Sequence, residues 1–263
     1  MSEPLGLDAD KTKSQKQAEG GFGETIKVVI QALLIALVVR TLLFQPFNIP
    51  SGSMIPTLLI GDFLFVSKYS YGYSRYSIPF SPDLFSGRIM ASKPKRGDVV
   101  VFKLPRDTSS DYIKRVIGLP GDKIQMIEGR LHINGQLVPR EPIAKVQTED
   151  RFGRLTEVPT YKETLPGGVS HTIIEIEGDT GFNDNTGVFE VPPDNYFMMG
   201  DNRDNSTDSR VPPEQGGVGF VPSQNLVGRA EMIFFSVKDG YQAWEFWRWP
   251  WSVRFSRLFQ PVR

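Results

Sequence analysis

The chain has 263 residues, with 30 Lys and Arg against 30 Asp and Glu, and it contains no cysteine. Balanced charge gives no global field to hold nucleic acid, and zero cysteine excludes disulfides and thiolate metal sites. The length accommodates a membrane anchor followed by one large or two modest domains.

The first twenty-four residues are polar and predict a disordered tail, residues 1–24. Val28 to Phe44 then reads VVIQALLIALVVRTLLF, seventeen residues interrupted only by Gln31 and Arg40, at the lower limit for a helix crossing hydrocarbon. The anchor is assigned to residues 25–44. No small-x-small site follows it, which disfavours a cleaved signal peptide; a buried core helix is the other reading. Arg40 lies near enough to the outer end to reach the headgroups. Lys11, Lys13, Lys16 and Lys27 precede the run, so the positive-inside bias puts the N-terminus in the cytoplasm and everything after Phe44 outside.

Beyond Phe44 the helical period fades, and short β-branched or aromatic runs alternate with Gly, Pro, Asn and Asp. The expected fold is mainly β. Strands are predicted at Phe63–Val66, Asp98–Phe102, Tyr112–Ile117, Lys123–Ile127, Tyr196–Met199 and Ala230–Phe235. Leu131 to Val138 predicts a hairpin, because Asn134-Gly135 supplies both positive-φ residues of a type I′ turn. Residues 69–93, rich in Tyr, Ser and Pro, read as a hairpin-like insertion. Residues 139–193 are polar, Gly-rich and weakly patterned, long enough to form a subdomain with the Asn-Gly hairpin. All four tryptophans fall between Trp244 and Trp251, with Arg248 among them. That mixture suits a headgroup layer, a partner interface or an aromatic core cluster.

Four segments carry possible chemistry. Pro50-Ser51-Gly52-Ser53-Met54 presents two hydroxyls on a turn six residues after the anchor. Arg96-Gly97-Asp98 enters a strand. In Tyr112–Ile117, alternation sets Tyr112, Lys114 and Val116 on one face, so Lys114 projects beside apolar neighbours. Desolvation there lowers a lysine pKa, and a neutral amine can take the proton of a serine hydroxyl. Gly200–Arg210 is dense in turn formers, but a calcium-loop reading fails. Counting from Asp201 or Asp204, the sixth position is Ser206 or Ser209 in place of Gly, and the twelfth is Pro212 or Gln215 in place of Glu. His132 and His171 lie far in sequence from the hydroxyl-rich turns.

Taken in order, Phe47–Leu58, Arg96–Phe102, Tyr112–Asp122 and Gly200–Arg210 closely resemble the bacterial type I signal peptidases, also called leader peptidases. The resemblance implies a membrane-bound serine endopeptidase that cleaves signal peptides from exported preproteins after small residues of the Ala-x-Ala type. It implies Ser53 as nucleophile, Lys114 as general base, and Ser51 with the Ser53 amide as oxyanion hole. Ser206 matches a serine that orients the lysine, and Asp208, Arg115 and Arg210 match a supporting polar network. Ile49, Pro50, Met54, Leu58, Tyr112 and Ile113 match positions around the substrate cleft. The family fold is an N-terminal transmembrane helix followed by a β-rich catalytic core, here residues 45–125 and 194–263, with a second β domain inserted at 126–193. It implies no metal and no cofactor, signal-peptide-bearing preproteins and membrane lipid as partners, and a monomer. The implied location is the bacterial inner membrane, single-pass, with the catalytic domain on the periplasmic side. Some relatives carry two spans, whereas this sequence has room for one. The self-cleaving Ser/Lys repressors are disfavoured by the anchor and by the lack of a DNA-binding helical module. A membrane-anchored β module that binds envelope components without catalysis is the remaining alternative.

Overall fold

The computed structural model describes residues 8–149 and 155–263. Helix α1 (Asp8–Leu42) opens the chain. Within it Phe22–Leu42 is 21 residues long with a mean hydropathy of 2.0, and none of that length is buried. An unburied apolar helix cannot serve as the core helix of the β body, so the anchor reading stands over that alternative. Two boundaries move relative to the sequence reading. The tail expected to be disordered is helical from Asp8, Met1 to Leu7 lying outside the described residues. Its Lys, Gln, Ala and Glu residues are good helix formers, and extending an existing helix is far easier than nucleating one. The anchor also stops at Leu42, because Pro46 disfavours helix in the residues before it and Phe44 already starts a strand.

The body is mainly β. Strands β1 (Phe44–Asn48), β2 (Asp62–Ser67), β3 (Val99–Leu104) and β4 (Asp107–Gly118) come first. Then follow β5 (Lys123–Ile127), β6 (Arg130–Ile133), β7 (Gln136–Leu137), β8 (Arg140–Glu149), β9 (Leu155–Thr164), β10 (Ser170–Ile174) and β11 (Phe189–Glu190). The chain closes with β12 (Asn195–Met199), β13 (Val221–Pro222), β14 (Leu226–Ser236) and β15 (Gln260–Pro261). One large sheet runs β1-β2-β14-β3-β4-β12-β13, with β15 added to β14. Its central strand β3 is apolar on both faces. Val99 and Val101 enter one core with Ile49, Leu58, Leu64 and Ile233, while Val100 and Phe102 enter another with Val116, Met198 and Leu226. A strand buried on both sides needs a continuous β-branched run, and Val99-Val100-Val101 supplies it.

Between β4 and β12 the chain builds two smaller sheets, β11-β5-β6-β7 and β10-β9-β8. The β6–β7 hairpin turns at Asn134 and Gly135, whose φ of +54° and +76° match the type I′ expectation. Ile124, Met126, Leu131 and Ile133 pack against Ile117, Phe197 and Met199 of the large sheet. The β10 end reaches the 200–211 loop through a parallel bridge between Ile174 and Asn202. Residues 69–93 fold back on themselves through a Tyr73–Ile89 bridge. Trp244, Trp247, Trp249 and Trp251 are exposed, so they are not an aromatic core cluster.

Candidate active site

Three segments far apart in sequence converge on one cleft of about 870 Å³. Its floor is the single turn Gly52–Met54, one wall is the unpaired stretch of β4, and the far wall is the loop after β12. β12 pairs with β4 only from Arg115 onward, which leaves Asp111, Tyr112 and Ile113 without a strand partner on the cleft side.

Ser53 is 8% exposed and Lys114 3% exposed. A 2.7 Å hydrogen bond joins Lys114 Nζ and Ser53 Oγ across 61 residues of sequence. Lys114 Nζ also donates to Ile113 O at 3.0 Å, and it lies 5.5 Å from the centre of the Tyr112 ring. Burial is the main influence on this amine. It outweighs the nearby carboxylates of Asp208 and Asp201 and lowers the pKa from 10.5 to about 8. Ser51 Oγ lies 3.5 Å from Ser53 Oγ, on the same rim.

The turn that carries Ser53 is held by hydrogen bonds to its backbone as well as by packing. Asn202 N donates to Ser53 O at 3.1 Å, and Asn202 Nδ2 donates to Gly52 O at 3.1 Å. Gly200 allows this approach: a Cβ there would collide with the Ser206 hydroxyl and the Ser53 carbonyl. Asn202 was not singled out from sequence. Its signal was only its position inside a turn-rich block.

Asp208 is fully buried, accepts two hydrogen bonds from the Arg210 guanidinium at 2.9 Å and takes Gly200 N at 3.0 Å. Burial pushes its pKa up, but the Arg210 charge and these donors overcome that and hold it below the ordinary carboxylate value. The Ser206 hydroxyl lines the cleft beside Asp208, whose carboxylate it helps to hold ionised, and among the described residues it makes no bond to Lys114.

Arg115 does not join Asp208. It forms a two-pronged contact with Asp201, Nε to Oδ1 at 2.8 Å and Nη2 to Oδ2 at 2.6 Å, and Thr57 Oγ1 donates to the same carboxylate at 2.6 Å. A second buried pair, Arg203 with Glu163, sits behind it. His171 lies 3.4 Å from Glu163 but out of hydrogen-bond alignment, and burial lowers its pKa to about 4. The supporting network is therefore two networks, because residues 114 and 115 point to opposite faces of β4. Glu163 and His171 gave no sequence signal, since they lie on a different sheet.

Of the expected cleft positions, Ile49, Pro50, Tyr112 and Ile113 line the cleft. Met54 and Leu58 do not: both are fully buried in the core with Leu64 and Val99. The tight turn that shows Ser53 to the cleft aims the next side chain inward.

A family model described as "Signal peptidase, peptidase S26" matches residues 22–235. The signal peptidase I of Rickettsia typhi is 42% identical over 272 residues, spanning 97% of each chain. That of Rickettsia akari is 42% identical over 274 residues, again 97% of each. A crystal structure of a signal peptidase I from Enterococcus faecalis aligns 97% of its chain with 52% of this one, at 26% identity and a TM-score of 0.29. With its apolar N-terminal helix, its β body and a family match over most of its length, the chain belongs to the signal peptidases of family S26, which are serine endopeptidases.

Proposed function

We propose that this protein removes signal peptides from exported preproteins by a Ser/Lys mechanism, with Ser53 as nucleophile and Lys114 as general base. The 2.7 Å contact between a buried lysine amine and a serine hydroxyl inside the cleft carries the reading. With Lys114 neutral, the Ser53 hydroxyl donates to the amine lone pair. Ser53 Oγ attacks the scissile carbonyl as its proton passes to Nζ, and the leaving amine takes a proton from the resulting ammonium. Water, deprotonated in turn by Lys114, then releases the acyl group. The Ser53 N–H and the Ser51 hydroxyl face the developing oxyanion, where one such donor contributes about 3–4 kcal/mol. Asp208 with Arg210 braces the loop behind the amine, and Ser206, on the same cleft wall, is assigned the role of orienting that amine. Neither a metal nor an organic cofactor enters this cycle.

The unpaired edge at Asp111–Ile113 supports an extended substrate bound as an added strand. Ile49, Ile113 and Val101 line shallow apolar ground beside Ser53, which suits small residues such as alanine before the cut and rejects larger ones by steric exclusion. The basic residues ahead of Phe22–Leu42 support an N-terminus in the cytoplasm, with the cleft on the outer face of the bacterial inner membrane. On this reading the protein works as a monomer against lipid, and residues 126–193, of which 150–154 lie outside the described residues, form a unit inserted in the catalytic core. The sheet β10-β9-β8 lies wholly within these residues and supports that division, while β5 (Lys123–Ile127) straddles its first boundary.

The test uses a preprotein with a small-x-small site. Ser53→Ala and Lys114→Ala should each abolish its cleavage while keeping the folded β spectrum. Normal processing by purified Ser53→Ala would sink the mechanism and require a different nucleophile.

A further inference from the structure

A second cavity, of about 140 Å³, opens where α1 ends, with Arg40, Gln45, Phe47, Lys68, Lys103 and Asp111 in its lining. Lys68 is 2% exposed, and its amine donates to a backbone carbonyl, Ser77 O, at 2.6 Å. Among the described residues neither Lys68 nor Arg40 has a carboxylate within ion-pair distance, and Asp111 is engaged by Lys103 at 3.0 Å. Three basic groups thus share one acid. Burial first, and the Arg40 charge second, lower the Lys68 pKa to about 8. The Asp111 carboxylate offsets only part of this, since it is already engaged by Lys103, and an anion entering the cavity would relieve the remaining excess of positive charge.

The position of the cavity identifies the anion. Arg40 stands in the last turn of α1, two residues before the membrane-length segment ends at Leu42. A site at that depth meets lipid headgroups, and their common anion is a phosphate. Arginine offers paired N–H donors that match it, and lysines add point charge. Phe80, fully exposed on the rim, gives an acyl chain an apolar surface. We infer that Arg40, Lys68 and Lys103 form a binding site for the phosphate of an anionic phospholipid headgroup at the outer end of the anchor. Phe47 and Asp111 line both this cavity and the catalytic cleft. A lipid seated there fixes the height of the cleft above the bilayer, where a signal peptide's cut site emerges. The inference rests on α1 crossing the membrane and is independent of the Ser/Lys chemistry.

The full-length protein in zwitterionic detergent is titrated with phosphatidylglycerol, and retained lipid is counted by native mass spectrometry. One phosphatidylglycerol should be retained per chain. Arg40→Gln and Lys68→Gln should each weaken retention about fivefold, the effect of one cation close to an anionic lipid surface. Lys238→Gln, exposed and outside both cavities, should leave it unchanged. Lys68→Gln keeps a donor for the Ser77 carbonyl; should it nonetheless misfold, Arg40→Gln alters an exposed side chain and decides the matter. Undiminished retention in Arg40→Gln overturns the site, as does phosphatidylcholine held as tightly as phosphatidylglycerol. If inorganic phosphate displaces the lipid at equal concentration, the cavity is a free-anion site and the lipid assignment fails.

Discussion

Lys114 shows how burial moves the amine of a common residue toward its neutral form. An exposed lysine is protonated at neutral pH and has no lone pair to offer. Removing water around this one disfavours the ammonium more than Asp208 and Asp201 favour it, hence a pKa of about 8. Two consequences follow with defined signs. Cleavage rate, measured as kcat/KM, should rise with pH with a midpoint near 8, since Lys114 can act as the proposed base only when neutral. Folding stability should respond as well. The unfolded chain holds this proton up to about pH 10.5 and the folded one only to about 8, so below pH 8 the charged amine opposes folding fully. That opposition fades as pH rises from about 8 to 10.5. Lys114→Met should therefore melt higher than the parent at pH 7, and the difference should shrink through this window. An equal gain at pH 7 and pH 10.5 would show that the amine is not desolvated. Alternation along the strand had already set Lys114 beside Tyr112 and Val116, but it carried no information on depth.

At the scale of elements, the single turn Gly52–Met54 depends on the loop after β12. Asn202 binds the carbonyls of Gly52 and Ser53, and Gly200 leaves no side chain between the two backbones. Gly200→Ala should push Ser206 and the Ser53 carbonyl aside and lower kcat/KM roughly 100-fold, the scale expected for an ångström-sized misplacement. The fold should survive. Gly187→Ala, with open space around its Cβ, is the matched control. Wild-type rates in Gly200→Ala would mean that the turn holds its own shape. The resemblance of the four ordered blocks to a known family gave Ser53, Lys114 and the 200–210 loop together, whereas turn formers and strand alternation alone marked each only as a candidate. The same reading misjudged Met54 and Leu58, since a residue's direction in a tight turn depends on what lies beneath it. It also joined Arg115 to Asp208, when Arg115 faces the opposite side of β4 and meets Asp201.

Across the whole molecule, a buried ion pair connects the sheet β10-β9-β8 to the loop after β12. Arg203 from that loop meets Glu163 on β9 with 3.0 and 2.5 Å contacts, both partners almost fully buried. Replacing one member of such a pair leaves the other charge unpaired and out of water. Glu163→Gln should thus lower the unfolding free energy by about 3–5 kcal/mol in denaturant titrations. An unchanged midpoint would show that Arg203 finds another partner or water. The β10-β9-β8 sheet, remote in sequence from Ser53, is in this way part of what holds the loop that lines the cleft.

By itself the sequence determined the features that depend on near neighbours. These are the apolar anchor, the mainly β body, the Asn134-Gly135 turn, and the four ordered blocks from which family membership and the Ser53 and Lys114 candidates could be read. Periodicity and turn chemistry act over a few residues, so they can be read along the chain. Only the tertiary structure decided which groups meet. Ser53 and Lys114 are brought within 2.7 Å by a sheet that pairs distant strands, and burial, which sets the lysine's pKa, is a property of everything packed around it. The cavity at Arg40, Lys68 and Lys103 has the same origin, because charges 63 residues apart in sequence share it only once the strands have closed.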